Sequence, residues 1–304
     1  MTKKLILRLS NNLGNQMFMY ASAFAFSKIL NRELFIDIQT AYSDKRNIHK
    51  FDLDKFNISA QKAPSNFMFL GTIGYIKRKS LKYLDKLKIK KNFYIEPRDA
   101  NKSTSFDKNI RNGNYNDPLF VEGHFETEKY FNMFSDDIKN EFKFKNLTHF
   151  ENNNILKDIK STESVSICVR QNRFSERKRD ITPEDDKNSS IFTEDQIKYI
   201  NKSIEIIKSK INNPKFFLWS NDFKNLDSFF PKNNFTFVST NKIDNDLYLM
   251  SQSKHHIVIP SSFNWWGAWL GYSKKSFVLR PSDKHFSNFS LNNRDFWPDN
   301  WTIV

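Results

Sequence analysis

The strongest constraint on the fold is a regular alternation of short apolar runs and helical segments between residues 165 and 280. Runs of this length that are rich in β-branched and aromatic side chains are typical of buried strands. Five such runs are present, at residues 165–170, 216–220, 235–239, 256–260 and 276–280. Helices are predicted from Thr193, which would form a capping box with Gln196, and at residues 246–253 and 263–272. Strands that alternate with helices predict a doubly wound parallel sheet.

The first forty residues predict a β-α-β unit of a second α/β domain. Residues 5–9 and 34–38 are apolar runs of strand length, and residues 16–30 between them are rich in Met, Phe and Ala. A crossover of this kind pairs its two strands in parallel. Further along, residues 119–125 alternate as a strand does, and a helix is predicted from Lys129.

A domain boundary is predicted near the polar, turn-prone stretch 146–154. We therefore expect an N-terminal α/β domain of residues 1–152 and a C-terminal doubly wound α/β domain of residues 153–304. Two such domains would face each other across a cleft and hold a ligand beyond the carboxyl ends of their strands.

Charge and cysteine content limit the classes of function. A single cysteine, Cys168, excludes an internal disulfide framework and a cysteine-rich zinc site. No apolar stretch has the roughly 20 residues that would span a bilayer, and the first twelve residues lack a signal-peptide core, so we expect a cytoplasmic protein. The formal net charge is +14, which leaves nucleic acid, an anionic membrane or a merely lysine-rich surface as explanations. Neither zinc-finger spacing nor an RNA-recognition signature is present, so we expect no nucleic-acid partner.

The basic residues are concentrated between residues 76 and 91. At helical spacing this segment has a rough apolar side beneath its lysines. It is compatible with an amphipathic helix at the inner face of a membrane. It is equally compatible with a solvated helix packed on its own domain, and the sequence favours that second interpretation.

Four polar loops follow predicted strands, and two of them contain groups that could bind an anion. The loop NNLGNQ contains Gly14, Asn15 and Gln16 and opens the first helix, whose free N–H groups would suit a phosphate. A simple tight turn is the alternative. Arg170 ends the strand VSICVR, where a guanidinium can bind a diphosphate with two parallel hydrogen bonds. A surface arginine in a basic loop is the alternative.

The other two loops contain Asp222 and the pair Ser261 and Ser262. Asp222 would cap the following helix or accept hydrogen bonds from a guanine edge. The serines would contribute hydroxyl and N–H groups to a phosphate pocket at the start of a helix, or would simply cap it. We assign Trp265, Trp266 and Trp269 to the core, and the two histidines at positions 255 and 256 to structural roles.

Two long segments carry a family resemblance. NNLGNQMFMYASAFAFSK resembles the N-terminal signature of the α-1,2-fucosyltransferases of glycosyltransferase family 11, and DLYLMSQSKHHIVIPSSFNWWGAWLGY is similar to their C-terminal signature. Pro260 and Asn264 depart from that second pattern, and the ending DFWPDNWTIV also fits. The resemblance covers nearly the whole chain. It implies a GT-B-like fold of two Rossmann-like domains, a GDP-fucose donor, inversion at the anomeric carbon and no metal.

The resemblance also implies roles for individual residues. Asn15 and Arg170 would be catalytic, with Asn15 near the pyrophosphate or fucosyl group and Arg170 on the β-phosphate. The predicted donor-binding residues are Gly14, Asn15, Gln16, Cys168, Arg170, Asp222, Ser261, Ser262 and Phe263. The family block His-x-Arg-Arg-Gly-Asp is altered here, with Cys168, Gln171 and Arg173 at the His, second Arg and Asp positions. The sequence therefore predicts a loop rebuilt for a related donor or acceptor.

The predicted activity is transfer of L-fucose, or a related deoxysugar, to a galactose-type hydroxyl of a bacterial surface glycan such as O-antigen or its lipid-linked precursor. The partners would be a nucleotide-sugar donor, a glycan acceptor and, by the basic segment, an anionic membrane. A catalytically silent sugar-binding protein of the same fold is one alternative, and a nucleic-acid binder is a weaker one. No general base can be assigned from the sequence.

Overall fold

The computed structural model describes residues 2–43, 49–97, 105–150, 153–176, 178, 180–282, 284–286 and 295–304. The chain divides into two compact units. Unit 1 comprises Met1–Lys145 and Asn292–Pro298, and unit 2 comprises Asn146–Leu291 and Asp299–Val304. The division after Lys145 lies at the start of the polar stretch 146–154, before the boundary expected after residue 152.

Unit 1 contains a five-stranded sheet in which every strand pair is parallel. Its strands are β1 (Lys3–Arg8), β2 (Arg32–Asp37), β3 (Gln61–Lys62), β4 (Phe93–Ile95) and β5 (Leu119–Glu122). Their order across the sheet is β3-β2-β1-β5-β4. The direction of the chain across the sheet therefore changes between β1 and β5.

Unit 2 contains a six-stranded sheet, again parallel throughout. Its strands are β6 (Glu163–Val169), β7 (Pro214–Ser220), β8 (Phe235–Phe237), β9 (His255–Ile257), β10 (Val278–Arg280) and β11 (Thr302–Ile303). The order β8-β7-β6-β9-β10-β11 is the 3-2-1-4-5-6 order of the dinucleotide-binding Rossmann domain. Its switch point lies between β6 and β9.

Eight α-helices accompany these sheets in the described residues. Unit 1 contains α1 (Leu13–Ile29), α2 (Gly71–Lys86), α3 (Asn109–Asn112) and α4 (Ser135–Glu141). Unit 2 contains α5 (Asn154–Ser161), α6 (Pro183–Lys210), α7 (Ile243–Ser251) and α8 (Ser262–Gly271). Among the described helices, none combines the length and the apolar character needed to cross a bilayer.

The apolar periodicity of the sequence explains the cores. Helix α1 is apolar on nearly all sides and is buried along most of its length, as a helix surrounded by its own domain must be. On α6 the isoleucines at helical spacing, Ile197, Ile200, Ile204 and Ile207, are all buried against the sheet of unit 2. Strand β6 is buried on both faces, as is typical of a central parallel strand.

The structure corrects three expectations about secondary structure. Helix α6 begins ten residues before Thr193, because Thr182 and Asp185 form the capping box and Pro183 occupies the first turn. Its first ten residues are mostly polar, so they carry no apolar signal. The helix predicted from Lys129 is instead two single-turn 3₁₀ helices followed by α4. The short strands β3, β4 and β11 were not predicted, since two or three residues show no periodicity.

Candidate functional site

The loops after β6 and β9 lie at the switch point of unit 2, where a doubly wound sheet leaves a crevice for a ligand. Arg170 is the first residue after β6. Ser261 and Ser262 follow β9 and begin α8. The two groups that the sequence predicts to bind an anion therefore lie in loops at the same edge of one sheet.

Arg170 is held by its backbone. Its N–H donates to Gln196 Oε1 at 2.9 Å, and its carbonyl accepts from Gln196 Nε2 at 2.9 Å. Gln196 is fully buried in α6, so this double hydrogen bond replaces the sheet ladder that ends at Val169. The backbone of Arg170 is thereby fixed, while its side chain is partly exposed to solvent.

The Arg170 side chain is 24% exposed and forms an ion pair with Glu176. Glu176 lies on the same loop, and its second oxygen accepts from Asn221 Nδ2 at 3.3 Å. The arginine is therefore neutralised by a carboxylate that a ligand with more negative charge could replace.

Hydrogen bonds join the loop after β6 to the loop after β7. The Gln171 backbone N–H donates to Asn221 Oδ1 at 2.9 Å, and Asn221 Nδ2 donates back to the Gln171 carbonyl at 3.0 Å. The Gln171 side chain donates to the carbonyl of Asp222 at 2.7 Å. Gln171 is thus a structural cross-link at the family's second arginine position.

Arg173 joins the same loop to the one after β9. Its Nη1 donates to the Pro260 carbonyl at 3.0 Å, and its guanidinium carbon lies 4.9 Å from the centre of the Phe192 ring. The intervening turn passes through Asn172, whose φ of 55° is left-handed. Arg173 therefore links the two loops that flank the switch point.

The start of α8 presents backbone N–H groups and a hydroxyl. Ser261 is the N-cap, yet its side chain makes no capping hydrogen bond within the described structure. The alternative of plain side-chain capping is therefore not what Ser261 does. Asn264 is fully buried and accepts from the Ile259 N–H at 2.7 Å, which fixes the loop that leads into the helix. The first turn of α8 has no acidic side chain, and Arg173 binds the carbonyl of Pro260 just before it, an arrangement that favours an anion.

The core assignment of the tryptophans is confirmed. Trp265 and Trp266 are fully buried and Trp269 is 5% exposed. The three rings pack on one another with centroid separations of 4.9 to 6.1 Å. They bury the middle of α8, residues 264–269, and leave both of its ends partly accessible.

Two residues predicted to contact the donor lie in or against the core of unit 2. Cys168 is only 8% exposed and belongs to the core cluster, where burial raises the pKa of its thiol to about 12. Its thiol therefore lies among apolar side chains. Phe263 is half-buried and packs against the same core.

Asp222 shapes its own turn. Its Oδ1 accepts from the Lys224 N–H at 2.9 Å, and its Oδ2 lies 3.5 Å from Asn172 Nδ2. The short 3₁₀ helix that follows, Leu226–Ser228, has Asn225 rather than Asp222 as its N-cap. Helix capping is therefore not the role of Asp222.

The loop NNLGNQ is not a separate turn, because α1 already begins at Leu13. Gly14 is buried in the first turn, whereas Asn15 is partly exposed and donates to Glu126 Oε1 at 3.1 Å. Gln16 is fully buried and its amide bonds the carbonyls of Asn11 and Lys50 and the N–H of Asp52. The Gln16 side chain ties these three backbone groups together, and its contact with a donor stays a prediction.

A cavity of about 380 Å³ opens at the switch point of unit 1. It lies beyond the carboxyl ends of β1, β4 and β5, and its lining consists of Arg8, Ser10, Met19, Ile95, Glu96, Glu122, Gly123 and His124. The loops after β1 and β5 meet beside it, where Asn11 Nδ2 lies 3.0 Å from His124 Nε2. The volume and the mixed lining suit a small polar ligand.

The backbone beside this cavity is strained. Phe125 has a φ of 53°, which is unfavourable for a bulky side chain. The Glu96 carboxylate accepts from the N–H groups of His124 and Phe125 at 2.7 and 2.8 Å and holds them in place. The position of the His124 imidazole is therefore fixed by contacts on two sides.

Both histidines assigned to structural roles fit that assignment. His256 is fully buried, its Nδ1 lies 2.7 Å from Ser166 Oγ, and burial lowers its pKa to about 3. His255 Nε2 lies 3.2 Å from Glu163 Oε2, at the amino end of β6 and away from the switch-point loops. Among the described residues, no group of three or more His, Cys, Asp or Glu side chains has the arrangement of a metal site.

Sequence reasoning missed several residues that build these sites. Gln196 lies in the middle of a helix, and Glu176 and Asn221 lie in loops without a motif. Their partners are 6 to 50 residues away along the chain. Only the folded arrangement of the strands brings them to Arg170.

Comparison with known proteins gives a family match along nearly the whole chain. The model of glycosyl transferase family 11 matches residues 2–304. An alpha-1,2-colitosyltransferase of Escherichia coli is 28% identical over 305 residues, covering 98% of each chain. The O-antigen biosynthesis glycosyltransferase WbnK of Escherichia coli is 24% identical over 294 residues, covering 90% of this chain and 92% of that one.

Solved structures with the same fold include fucosyltransferases. A mutant of FUT1 from Arabidopsis thaliana in complex with GDP has a TM-score of 0.53 at 14% identity and covers 98% of this chain and 75% of that one. The α-1,6-fucosyltransferase NodZ from Bradyrhizobium has a TM-score of 0.51 at 14% identity, with 88% and 92% covered. These similarities confirm the predicted fold class of two Rossmann-like domains.

Proposed function

Because the chain belongs to glycosyltransferase family 11, we propose that it is an inverting, metal-independent α-1,2-glycosyltransferase that uses a GDP-linked deoxysugar. The sugar would be L-fucose or its 3-deoxy form, colitose. The acceptor would be a galactose-type hydroxyl of a bacterial surface glycan. A relative of nearly the same length is named for colitosyl transfer and another for O-antigen biosynthesis, which supports both choices.

The donor would bind to unit 2, and the observation that carries this proposal is the position of Arg170. A partly exposed guanidinium stands at the switch point of a 3-2-1-4-5-6 sheet, beside a helix start whose N-cap hydroxyl makes no cap. Both groups favour a diphosphate. Ser261, Ser262 and Arg170 would bind its oxygens, and Asp222 would face the base.

In the proposed reaction an acceptor hydroxyl attacks the anomeric carbon and loses its proton, while GDP leaves with the bonding electrons. Negative charge then grows on the β-phosphate. Donors fixed beside that oxygen stabilise the transition state more than the ground state. Arg170 suits this role because Gln196 fixes its backbone before any ligand arrives.

The acceptor would bind to unit 1, in the cavity beside His124. That cavity lies at the switch point between β1 and β5, and its lining mixes Met and Ile side chains with Arg, Ser and His. Such a lining suits the apolar and hydroxylated faces of a hexose. Asn15, paired with Glu126 at the start of α1, would act beside it.

The altered block after β6 bears on donor choice. Cys168 faces the core, Gln171 cross-links to the β7 loop, and Arg173 binds the Pro260 carbonyl. The three departures from the family block therefore have structural partners here, and Arg170 keeps its position. We expect the protein to retain phosphate binding and to differ from other members in how it selects the base or sugar.

The decisive experiment compares Arg170→Ala with Lys254→Ala. Both changes remove the basic partner of an ion pair on unit 2, but the Lys254–Glu163 pair lies at the amino end of the strands. GDP release is measured with a galactoside acceptor and either GDP-fucose or GDP-colitose as the donor. Arg170→Ala should lower kcat by about 10²–10³, the effect of removing one donor from an oxyanion-type site, and Lys254→Ala should leave it unchanged.

An Arg170→Ala protein that transfers sugar at the wild-type rate would refute the assignment of the donor site. A wild-type protein that is stabilised thermally by neither GDP nor any GDP-sugar would refute the donor class.

A further inference from the structure

Helix α2 exposes an apolar stripe on the side that faces away from its own domain. Ile73, Ile76, Tyr83 and Leu87 are 84%, 57%, 63% and 49% exposed. At 3.6 residues per turn these four positions fall within an arc of about 80°. Ile89, just beyond the helix, is 64% exposed and continues the apolar surface. The sequence left a membrane surface and the protein's own domain open for the apolar side of this segment and favoured the domain; Leu81 packs on the domain, whereas these residues are exposed.

The opposite side of α2 is firmly attached to unit 1. Arg78 and Lys82 both bind the Glu122 carboxylate, which is only 10% exposed. Leu81 packs against the cluster formed around Phe93 and Phe120. These inward groups lie about half a turn from the apolar stripe, so the helix cannot bury the stripe by rolling without breaking the ion pairs.

Lysines flank the stripe on both sides. Arg78 and Lys82 point inward, but six lysines of the segment are exposed, at positions 77, 79, 86, 88, 90 and 91. The one acidic residue between Gly71 and Lys91 is Asp85, which accepts from the Phe93 N–H at 3.2 Å on the inner side. The outward surface therefore combines apolar side chains with a purely positive border.

We propose that this surface, residues 73–91 of unit 1, docks on a bilayer rich in anionic phospholipid. Isoleucine, leucine and tyrosine side chains would enter the boundary between headgroups and acyl chains, and the flanking lysines would extend to the lipid phosphates. At 16 residues α2 lies in the surface plane rather than across it. A second copy of the chain is disfavoured as the occupant, because it would bring two positive borders together. The inference does not depend on the identity of the sugar donor.

The first test is co-sedimentation of the full-length protein with vesicles of phosphatidylcholine, alone or with phosphatidylglycerol. We expect binding to the anionic vesicles that weakens with salt and little binding to the neutral ones. Ile73→Gln with Ile76→Gln, and separately Lys77→Gln with Lys79→Gln, should each lower the partition coefficient at least tenfold, since one lysine near an anionic surface contributes about fivefold.

Matched controls lie in unit 2. Ile181 and Ile243 are 53% and 47% exposed, and Lys208 and Lys210 are also exposed, so the same changes to Gln alter composition and charge equally. These controls should bind vesicles as the wild type does, and all variants should transfer sugar to a soluble acceptor at the wild-type rate. If the controls lose vesicle binding to the same extent, binding depends on overall charge and composition rather than on α2, and the proposal is overturned.

A second measurement reports contact directly. The native Cys168 is buried, so a cysteine placed at Ile76 can be labelled selectively with an environment-sensitive fluorophore. Its emission should shift to the blue with anionic vesicles, whereas a label at Ile243 should not respond. Absence of a shift at Ile76, or a concentration-dependent dimer that Ile73→Gln with Ile76→Gln abolishes, would overturn the membrane as the occupant.

Discussion

Gln196 offers the sharpest test of how the proposed donor site is built, since it touches the backbone of Arg170 and lies buried beneath the loop. The substitution Gln196→Leu keeps the volume and removes both hydrogen bonds to Arg170. A buried backbone group left without a partner costs about 1–3 kcal/mol, and an apolar replacement relieves the desolvation of the amide. We therefore expect the free energy of unfolding to fall by about 2–4 kcal/mol.

The effect on activity should exceed what the loss of stability explains. With its backbone released, Arg170 would shift relative to the phosphate, and misplacement of a catalytic group by about 1 Å can cost 10²-fold in rate. We expect kcat to fall by about 10- to 100-fold at temperatures where the variant is fully folded. Gln196→Glu, which can still accept from the Arg170 N–H, should fall between wild type and Gln196→Leu.

The matched control is Ser203→Ala on the same helix. Ser203 is fully buried, and its hydroxyl donates to the Tyr199 carbonyl of the same helix at 2.9 Å. It should lose about 1 kcal/mol of stability and no activity. Urea unfolding and initial-rate assays separate the two effects. A Gln196→Leu protein with wild-type kcat would refute the argument that Gln196 positions Arg170.

Two further outcomes are expected. Burial lowers the pKa of His256 to about 3, so near pH 6.5 this histidine takes up a proton in the unfolded chain but not in the folded chain. The free energy of unfolding should therefore fall as the pH drops below 6.5, by about 2 kcal/mol at pH 5. In His256→Leu the difference in unfolding free energy between pH 7.5 and pH 5 should be smaller by that amount. His124→Ala should abolish sugar transfer, while GDP release in the absence of acceptor continues. The control His285→Ala should change neither activity. If His124→Ala also loses GDP release in the absence of acceptor, His124 lies outside the acceptor site.

The fold follows from the sequence because its signal is local. The apolar runs that became β6, β7 and β9, and the isoleucine stripe of α6, are visible at strand and helix spacing. Strand ends also locate the functional loops, since parallel strands bring all carboxyl ends to one edge. Arg170 and Ser261 were found in this way.

Contacts within the sites do not follow, because they join residues that are distant in sequence. Whether an amide such as Gln16 serves a ligand or a neighbouring backbone depends on three groups up to 36 residues away. Cys168 lies in a strand buried on both faces, so alternation gives no indication of which side chains reach a ligand. The sequence leaves the direction of the α2 stripe open for a similar reason, since the anchor of the helix is Glu122 in another element.

The left-handed turn at Asn172 has a counterpart in the other unit. Among the described residues, six of the eight non-glycine residues with positive φ are asparagines, and Asn11 is one of them. Asn11 lies three residues after β1 and Asn172 three residues after β6, and each of these strands is the first of a 3-2-1 half-sheet. The two units therefore share a half-domain that leaves no trace as a sequence repeat. The chain has only 7 glycines, and in the loops after β1 and β6 an asparagine adopts the left-handed conformation that glycine usually provides. Each asparagine also adds a side-chain amide to its loop.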